Sequence, residues 1–272
     1  LVTGGSSGIG LSAACRFAEA GAITVICARG EDKLAEAVKE IRAHAGKDAK
    51  VFSYSADIAN EASCAALVKT LQEQHGGVDF LINNAGRSIR RAIEASYERF
   101  HDFERTMQLN YFGSLRITMG LLPGMVAKKR GHVVNISSIS VLVNAPRFSA
   151  YVASKAALDA WTRCASSEFA DQGVTFTTVN MPLVRTPMTA PTKIYESMPL
   201  LKPEEAADMV VQACVEKPVR VATRLGIFGE ILHAAAPRIT QIVMNTTFRM
   251  FPDSAAAKGE KLPKATLSPE AI

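Results

Sequence analysis

Three side chains near the middle of the chain have the types and the spacing that proton transfer to a carbonyl oxygen requires. Ser138 ends an apolar run, Tyr151 follows 13 residues later, and Lys155 lies four residues beyond the tyrosine in a predicted helix. Residues four apart share a helix face, so we expect the ammonium beside the phenol, where it lowers the tyrosine pKa from about 10. Ser138 then holds the oxygen on which negative charge develops. The alternative is a Tyr–Lys pair on the outer face of an amphipathic helix.

A glycine-rich loop at the start of the chain has the features of a phosphate-binding turn. Residues 3–10 read TGGSSGIG, between the remnant of a strand and a predicted helix. Glycines permit a tight turn close to a ligand, and the N-terminus of the following helix favours an anion. A purely structural turn is the alternative, which the position of the loop in a βαβ unit disfavours. The residues expected at a pyrophosphate are Gly4, Ser6, Ser7, Gly8, Ile9 and Gly10.

The residue at the end of the second predicted strand indicates which dinucleotide binds. In such sites an acidic residue holds the ribose 2′-hydroxyl of NAD(H), whereas an arginine accommodates the 2′-phosphate of NADP(H). The sequence has Arg29 at this place and no acid before Glu31. We therefore expect NADP(H) as the cofactor. An exposed arginine at the start of a helix is the alternative interpretation.

The elements that must position these residues alternate regularly along the chain. Short apolar runs predict strands after a truncated first one, at residues 23–28, 50–55, 78–83, 132–138 and 174–180. Amphipathic stretches predict helices at residues 8–20, 32–45, 61–75, 97–127 and 149–171. Strands separated by helices of this length form parallel sheets covered on both faces. The predicted fold class is therefore α/β, a doubly wound parallel sheet in one Rossmann-like domain.

Composition and charge exclude several classes of protein. The 272 residues are 48% apolar and 21% charged with a net charge of +5, and they contain no dense basic stripe of the kind that binds nucleic acid. The longest uncharged stretch, residues 132–146, contains several polar residues and is too short to cross a bilayer. Five scattered cysteines without metal-ligand spacing predict reduced thiols, no metal site and a cytoplasmic protein.

The domain organisation follows from where these patterns end. One catalytic domain is predicted over residues 1–252, with an apolar helical extension at about 220–252 that Pro237 interrupts. Residues 253–272, rich in Ala, Lys, Pro and Ser, are predicted to be a tail or linker. Because the glycine loop begins directly after Leu1 and Val2, without a full strand before it, we expect the chain to be a fragment of a longer protein.

Together these motifs resemble the short-chain dehydrogenase/reductase family over about residues 1–190. The glycine loop, the NNAG stretch at residues 83–86, Asn110 and the Ser–Tyr–Lys set have the order and spacing of that family. The resemblance implies that Asn110 helps to hold a water that relays protons to Lys155, and that Asp57 contacts the adenine. The other residues that it places at the cofactor are Asn84, Ala85, Gly86, Tyr151, Lys155 and Thr186.

Two features depart from the family pattern. The family often has Pro-Gly after its sixth strand, whereas here Pro182 is followed by Leu183. Since glycine gives the backbone freedom near the nicotinamide, we expect a different local geometry at this place. The second departure is that residues 220–251 are rich in Ile, Leu, Phe, Met and Ala and do not form an ordinary family ending.

Longer strings resemble a bacterial subgroup of fatty acyl-CoA reductases, from residue 1 to about 258. They are RSIRR at residues 87–91, FHDFER at 100–105 and MPLVRTPMTAPTKIY at 181–195. The resemblance implies NADPH-dependent reduction of long-chain fatty acyl-CoA to fatty aldehyde, in a stand-alone enzyme or in the C-terminal domain of a two-domain, alcohol-forming enzyme. The implied partners are a fatty acyl-CoA or fatty aldehyde substrate, a second copy in a homodimer and, in the two-domain form, an N-terminal reductase domain.

Several alternatives stay open at this point. The same catalytic residues serve a reductase of aldehydes or ketones that has no thioester activity. A catalytically idle module that binds NADPH or docks another domain is disfavoured by the intact glycine loop, tyrosine and lysine. Arg87, Arg90 and Arg91 either bind CoA phosphates or, as we favour, pair within the chain, and His101 is expected to be structural. The apolar C-terminal helices either line an acyl groove or form ordinary core or dimer surface.

Overall fold

Seven parallel strands form one sheet in the computed structural model, which describes residues 1–190, 192, 195, 198–251 and 253. The strands are β1 (Val2–Thr3), β2 (Thr24–Ala28), β3 (Val51–Ser55), β4 (Phe80–Asn83), β5 (Gly131–Ser138), β6 (Val174–Met181) and β7 (Arg220–Ala222). Their spatial order is β3-β2-β1-β4-β5-β6-β7, so the chain builds one half of the sheet outward from β1 and the other half from β4. The switch point between β1 and β4 is where doubly wound sheets bind ligands. The predicted fold class is confirmed.

The pairing of β5 with β6 carries Ser138 to the carboxyl edge of the sheet. Gly131 lies opposite Val174 and Ser138 lies opposite Met181, in parallel register throughout. Every residue of β5 before Ser138 is buried. Such a continuous buried run is typical of a parallel strand that helices cover on both faces.

Helices cover both faces of the sheet and continue beyond it. Those among the described residues are α1 (Gly8–Glu19), α2 (Glu31–Ala45), α3 (Glu61–His75), α4 (His101–Met107), α5 (Ser114–Ala127), α6 (Ile139–Val143), α7 (Ser149–Glu168), α8 (Pro203–Glu216), α9 (Arg224–Ala235) and α10 (Pro237–Met250). The helix predicted at residues 97–127 begins later, at His101, and contains a π-helical turn, Gln108–Gly113, between α4 and α5. Sequence patterns did not predict α6, α8 or β7. Two of these, α6 and β7, are too short to show a clear periodicity.

A chain of buried amides and hydroxyls connects the central strands to the helices. Asn83 in β4 donates to Thr118 (2.9 Å) and to the side-chain oxygen of Asn135 in β5 (2.8 Å). Asn135 in turn donates to Thr162 in α7 (2.8 Å). Buried polar groups are costly unless they are paired, so these bonds favour one arrangement of α5 and α7 against the sheet.

His132 in β5 is completely buried and lies between two oxygen atoms. Its Nδ1 is 2.8 Å from the hydroxyl of Thr175, and its Nε2 is 3.0 Å from the carbonyl oxygen of Ala213 in α8. Burial lowers the pKa of this imidazole to about 4. The folded protein therefore keeps His132 neutral at pH values where an exposed histidine is charged.

The C-terminal helices pack on α6 through two glycines of α9. A Cβ atom at Gly226 would lie 3.0 Å from side-chain atoms of Ile139 and Leu142, and one at Gly229 would lie 2.6 Å from Val143. The expected helical extension needs correction at its start, because residues 220–222 form strand β7. The domain boundary at residue 252 stays a prediction, and residues 254–272 of the predicted tail lie outside the described residues. None of the described helices combines the length and the apolar character needed to cross a bilayer.

Candidate active site

The hydroxyl groups of Ser138 and Tyr151 meet at the carboxyl edge of β5. Ser138 caps the N-terminus of α6, where its Oγ accepts hydrogen bonds from the N–H (3.1 Å) and the hydroxyl (2.9 Å) of Ser140. Tyr151 lies in the first turn of α7, and its phenol is hydrogen-bonded to Ser138. A carbonyl oxygen at this place can therefore accept hydrogen bonds from two hydroxyl groups.

Lys155 lies one helical turn after Tyr151 and brings a buried positive charge to the site. Its ammonium donates to the carbonyl oxygen of Ile136 in β5 (2.7 Å). Burial lowers its pKa to about 8, so most of the ammonium is still protonated at pH 7. The structure thus brings together all three residues of the predicted Ser–Tyr–Lys set.

The acidity of Tyr151 differs from our expectation. Burial raises the pKa of its phenol to about 12, the hydrogen bond with Ser138 acts in the opposite direction, and the nearby Tyr195 adds to the increase. The prediction that Lys155 lowers this pKa is wrong, because its ammonium is bound to Ile136 and the removal of water from the phenol dominates. Tyr151 consequently keeps its proton at neutral pH, as a proton donor must.

Asn110 lies in the π-helical turn, and its side chain is hydrogen-bonded to Arg87 and Ser154. Its Nδ2 donates to the carbonyl oxygen of Arg87 (2.9 Å) and to the hydroxyl of Ser154 (2.9 Å), while its Oδ1 accepts from the Arg87 N–H (2.9 Å). A Cβ atom at Gly86 would lie 3.1 Å from Asn110 Oδ1 and 3.4 Å from Lys155 Nζ. Asn110 and Lys155 are therefore neighbours across Gly86, and the water relay stays a prediction.

The glycine loop is too tightly packed for side chains at its key positions. Gly4 and Gly8 have φ values of 66° and 54°. A Cβ atom at Gly10 would lie 2.5 Å from the side-chain nitrogen of Asn84 and closer still to the carbonyl oxygen of Gly4. Helix α1 begins at Gly8, and Ser7 at its N-cap makes no side-chain capping bond. Its first N–H groups are thus available to an anionic ligand.

The NNAG stretch is fixed to this loop through Thr3. The hydroxyl of Thr3 accepts hydrogen bonds from the backbone N–H groups of Asn84 and Ala85, both at 3.0 Å. The side chain of Asn84 donates to the carbonyl oxygen of Thr3 (2.9 Å). These bonds join β1 to β4 at the switch point, so Asn84, Ala85 and Gly86 form one surface with the loop.

The segment after β6 closes over the glycine loop. A Cβ atom at Gly8 would lie 3.2 Å from Thr186, which places the threonine beside the start of α1. Leu183 lies where the family pattern often has glycine. Its backbone is not among the described residues with positive φ, and its carbonyl accepts from the Leu201 N–H (2.9 Å). The expected departure in local geometry therefore does not take the form of backbone strain.

Arg29 and Asp57 lie after β2 and β3, at the outer part of the same edge. Arg29 is exposed, and its carbonyl oxygen accepts from the Ser55 hydroxyl (3.1 Å). One carboxylate oxygen of Asp57 accepts from the Ala59 N–H (3.0 Å). Burial lowers the pKa of Arg87, the positive charges of Arg105 and Arg29 act in the same direction, and Asp102 acts against them, so Arg29 lies near other charged side chains.

Our sequence analysis assigned no role to Tyr195 or to Arg147, and it did not predict the partners of Arg90. Tyr195 lies close enough to Tyr151 to raise its pKa, and Arg90 lowers the pKa of Tyr195 against the stronger effect of burial. Arg90 also donates to the carbonyl oxygen of Phe251 (2.9 Å). Arg147 donates to the same oxygen (2.7 Å) and forms an ion pair with Asp253 (2.6 Å). No local sequence pattern indicates contacts between segments so far apart.

Arg91 of the basic loop pairs within the chain, as we favoured. Asp102 at the start of α4 is buried, and it forms ion pairs with Arg91 (2.8 Å), Arg99 (3.2 Å) and Arg105. His101 also lies against this carboxylate (3.3 Å) and away from the reacting hydroxyls. A role for Arg91 in binding CoA phosphates is therefore disfavoured, since a buried acid already holds it.

One group of potential metal ligands lies between α1 and α2. The ligand atoms of Cys15, Glu40 and His44 are within 4.8 Å of one another. Burial raises the pKa of the Cys15 thiol to about 11, so the thiolate that binds metals is scarce at neutral pH. The geometry therefore does not favour a metal site here, and the prediction of no metal stays a prediction.

Two open grooves lie beside the predicted catalytic residues and not on them. Their volumes are about 480 and 440 Å³, and Asn144, Pro146 and Phe248 line both. Neither is lined by Ser138, Tyr151 or Lys155. The second groove does include Val152, the residue after Tyr151, so the C-terminal helices and the start of α7 share one concave surface.

Comparison with known proteins agrees with this geometry. The family model described as short chain dehydrogenase matches residues 1–196. A fatty acyl-CoA reductase of Acinetobacter baylyi is 53% identical over 261 residues, which cover 96% of this chain and 88% of the relative. A fatty acyl-CoA reductase of Mycobacterium tuberculosis is 44% identical over 245 residues, covering 90% and 82%. A variant of the actinorhodin polyketide ketoreductase, solved with NADPH, has a TM-score of 0.74 at 28% identity, covering 83% of this chain and 95% of that one.

Proposed function

The chain belongs to the short-chain dehydrogenase family and is an oxidoreductase, and from this premise we propose that it reduces long-chain fatty acyl-CoA to fatty aldehyde with NADPH. The observation that carries the chemistry is the hydrogen bond between the half-buried Ser138 and Tyr151 side chains, with Lys155 one turn away. The substrate class is supported by the 53% identity to a fatty acyl-CoA reductase over nearly the whole chain.

The residues at the switch point fit a dinucleotide phosphate. Glycines at positions 4, 8 and 10 let the loop pack closely against Asn84, Ala85 and Thr186, and the uncapped start of α1 beside it suits a pyrophosphate. Asn84, Ala85, Gly86 and Thr186 complete the inner part of this surface, and Asp57 after β3 would contact the adenine. The positive charges of Arg29 and Arg87 suit the 2′-phosphate of NADP(H) better than the free hydroxyl of NAD(H).

NADPH, when bound, would supply the hydride. The chain's own residues bind the carbonyl oxygen of the substrate and hold the proton on the Tyr151 hydroxyl. Ser138 and Tyr151 donate hydrogen bonds to the thioester carbonyl oxygen, which stabilises the tetrahedral oxyanion formed after hydride transfer. When that oxyanion collapses, the carbon–sulfur bond breaks, and the CoA thiolate leaves and takes up a proton. Lys155 keeps a positive charge one helical turn from the phenol, and Asn110 keeps the chain around Arg87 beside the lysine.

A reductase of aldehydes or ketones is the second candidate, and the structural likeness to a polyketide ketoreductase favours it. The same hydroxyl groups would then protonate the product alkoxide without expelling a thiolate. The two candidates therefore differ in the leaving group and not in the catalytic residues.

Two features of assembly and location are part of the same proposal. Exposed aromatic and apolar side chains before and along α4 and α5, among them Tyr97, Phe100 and Met119, support a homodimer built on these helices and α7. All five cysteines are free, which suits the reducing cytoplasm.

The test measures NADPH oxidation with a long-chain acyl-CoA, with the matching fatty aldehyde and with NADH run in parallel. Release of free CoA thiol in step with NADPH oxidation, and its loss in Tyr151→Phe, would support the proposal. Turnover of the aldehyde alone would leave the carbonyl reductase as the function. NADPH binding without turnover of either substrate would favour the idle module.

A further inference from the structure

The outward side of α9 is apolar, although it faces solvent. Leu225, Phe228 and Ile231 are 75%, 62% and 60% exposed. They are spaced three residues apart and therefore project from one side of the helix. Gly226 and Gly229 lie on the side of α9 that packs against α6. This helix thus directs its small residues inward and its large apolar residues outward, the reverse of an ordinary surface helix.

Helix α10 shows the same inversion and packs against α9. Its large exposed residues Ile239, Ile242 and Val243 follow at helical spacing, while Thr240 is its buried residue. We call the exposed side chains of the two helices the outer face, defined by Leu225, Phe228, Ile231, Ile239, Ile242 and Val243. Soluble monomers rarely expose so many large apolar side chains on two helices that pack together, so we expect a partner to cover the outer face.

The charges around the outer face select the kind of partner. Arg224 begins α9, and Arg238 and Arg249 lie in the first and last turns of α10. None of the three forms an ion pair with a described carboxylate. Helix α10 contains no Asp or Glu, and Glu230 of α9 is paired with Arg220 (2.6 Å). The apolar side chains are therefore bordered by uncompensated positive charge.

We propose that the outer face binds the surface of a membrane that contains anionic phospholipids. Apolar side chains bordered by arginines are the pattern of helices that lie in the interface of a bilayer, with the arginines at the level of the phosphates. No described helix can cross a bilayer, so this contact lies on the membrane and does not span it. Two copies that paired through the outer face would bring the same three arginines into one interface, which disfavours self-association there.

This contact gives the proposed function a route for its substrate, and in that respect it rests on the proposed function. Helix α9 packs on α6, and α6 begins directly after Ser138. The outer face is thus separated from the reacting hydroxyls by only two layers of helix. A long acyl chain, or the aldehyde made from it, partitions into a bilayer, so docking here places the site beside its apolar substrate and product.

The test is flotation of the full chain with vesicles of phosphatidylcholine alone or mixed with phosphatidylglycerol. We expect wild type to float with the mixed vesicles and to be released by high salt, which screens charge. Arg238→Gln with Arg249→Gln should lower the partition coefficient by about 25-fold, or about fivefold for each arginine. Phe228→Glu with Ile242→Glu should abolish flotation, whereas Val215→Glu, which alters an exposed apolar residue of α8, should leave it unchanged.

Several outcomes would overturn the proposal. Wild type that stays at the bottom of the gradient would do so, as would equal flotation of the Phe228/Ile242 double variant. A dimer that this variant dissociates, without vesicle binding by wild type, would assign the outer face to self-association. Thermal unfolding and NADPH binding check that each variant is folded, and the arginine variants alter only exposed ends. Acyl-CoA reduction without vesicles is measured beside flotation, so a chain that floats but does not turn over would sink the proposed function alone.

Discussion

Two regions of the molecule differ in which side chains they bury: the carboxyl edge of the sheet at the switch point between β1 and β4, called the edge below, and the outer face. At the edge, polar groups are buried, and partners from other elements hold them, as Thr3 holds Asn84 and as Arg87 and Ser154 hold Asn110. On the outer face, large apolar side chains point to solvent with unpaired arginines around them. The first region is complete within one chain and needs only small ligands, while the second calls for a large surface. The proposed catalysis and the proposed membrane contact thus belong to separate parts of the molecule.

The largest effect that we expect comes from removing one oxygen atom at the edge. Tyr151→Phe removes the proton donor and its bond to Ser138, and should lower kcat by about 10²–10⁴-fold, the usual contribution of a general acid. NADPH affinity, measured by fluorescence titration, should change little. The matched control is Tyr97→Phe, which alters an exposed phenol before α4. Equal kcat in Tyr151→Phe and wild type would remove this tyrosine from the mechanism.

The part of the edge that sequence could predict is the part that local spacing encodes. Tyr151 and Lys155 share one helix, and the glycine loop is one turn between a strand and a helix, so periodicity and order were sufficient. Ser138 was found because it ends an apolar run that β5 forms almost to the residue. The π-helical turn around Asn110 was not predictable, because its residues also fit an ordinary helix.

The unpredicted features depend on contacts between distant segments. Arg147 binds Phe251 across 104 residues of chain, and no periodicity relates the two. Strand β7 has three residues and is stabilised by pairing with β6, a property of the assembled sheet. The apolar composition of residues 220–251 was evident from the sequence. Which of these side chains face the core and which face solvent depends on the packing of Gly226 and Gly229 against α6, which the sequence does not show.

The next largest effect concerns His132, which lies near the amino end of β5, at the opposite end of the strand from Ser138. The folded protein holds its pKa at about 4, below the ordinary 6.5. As the pH falls below 6.5, the unfolded chain takes up a proton on this imidazole that the folded protein does not, so stability is lost down to about pH 4. The loss reaches about 3 kcal/mol, since one pKa unit corresponds to roughly 1.4 kcal/mol. Urea unfolding at a series of pH values should show this slope, and an equal slope in His132→Gln would contradict the assignment.

A smaller effect, on the local stability of α10, should follow from removing the bonds that Arg147 makes to the end of this helix. Arg147→Gln removes the bonds to the Phe251 carbonyl and to Asp253, and should lower the local opening free energy of α10 by about 1.5–3 kcal/mol. Hydrogen exchange should become faster in α10 and stay unchanged in α1. Arg130→Gln is the control, because it breaks the exposed pair with Asp79 and should cost under about 1 kcal/mol. Equal exchange in α10 of both variants would show that Arg147 does not hold the C-terminal helices.

The smallest effects distinguish a glycine that the edge requires from one that it does not. In Gly10→Ala the new methyl group would meet Asn84 and Gly4, so we expect a loss of about 1–3 kcal/mol in stability and weaker NADPH binding. Gly124 lies inside α5 with no atom within 4 Å of an added Cβ. Gly124→Ala should therefore raise stability by up to about 1 kcal/mol, through helix propensity alone. Chemical unfolding and NADPH titration of both variants check the pair. If Gly10→Ala binds NADPH as wild type does, the glycine loop has more room than its packing against Asn84 indicates. The proposed NADPH site would then have to lie at another part of the edge.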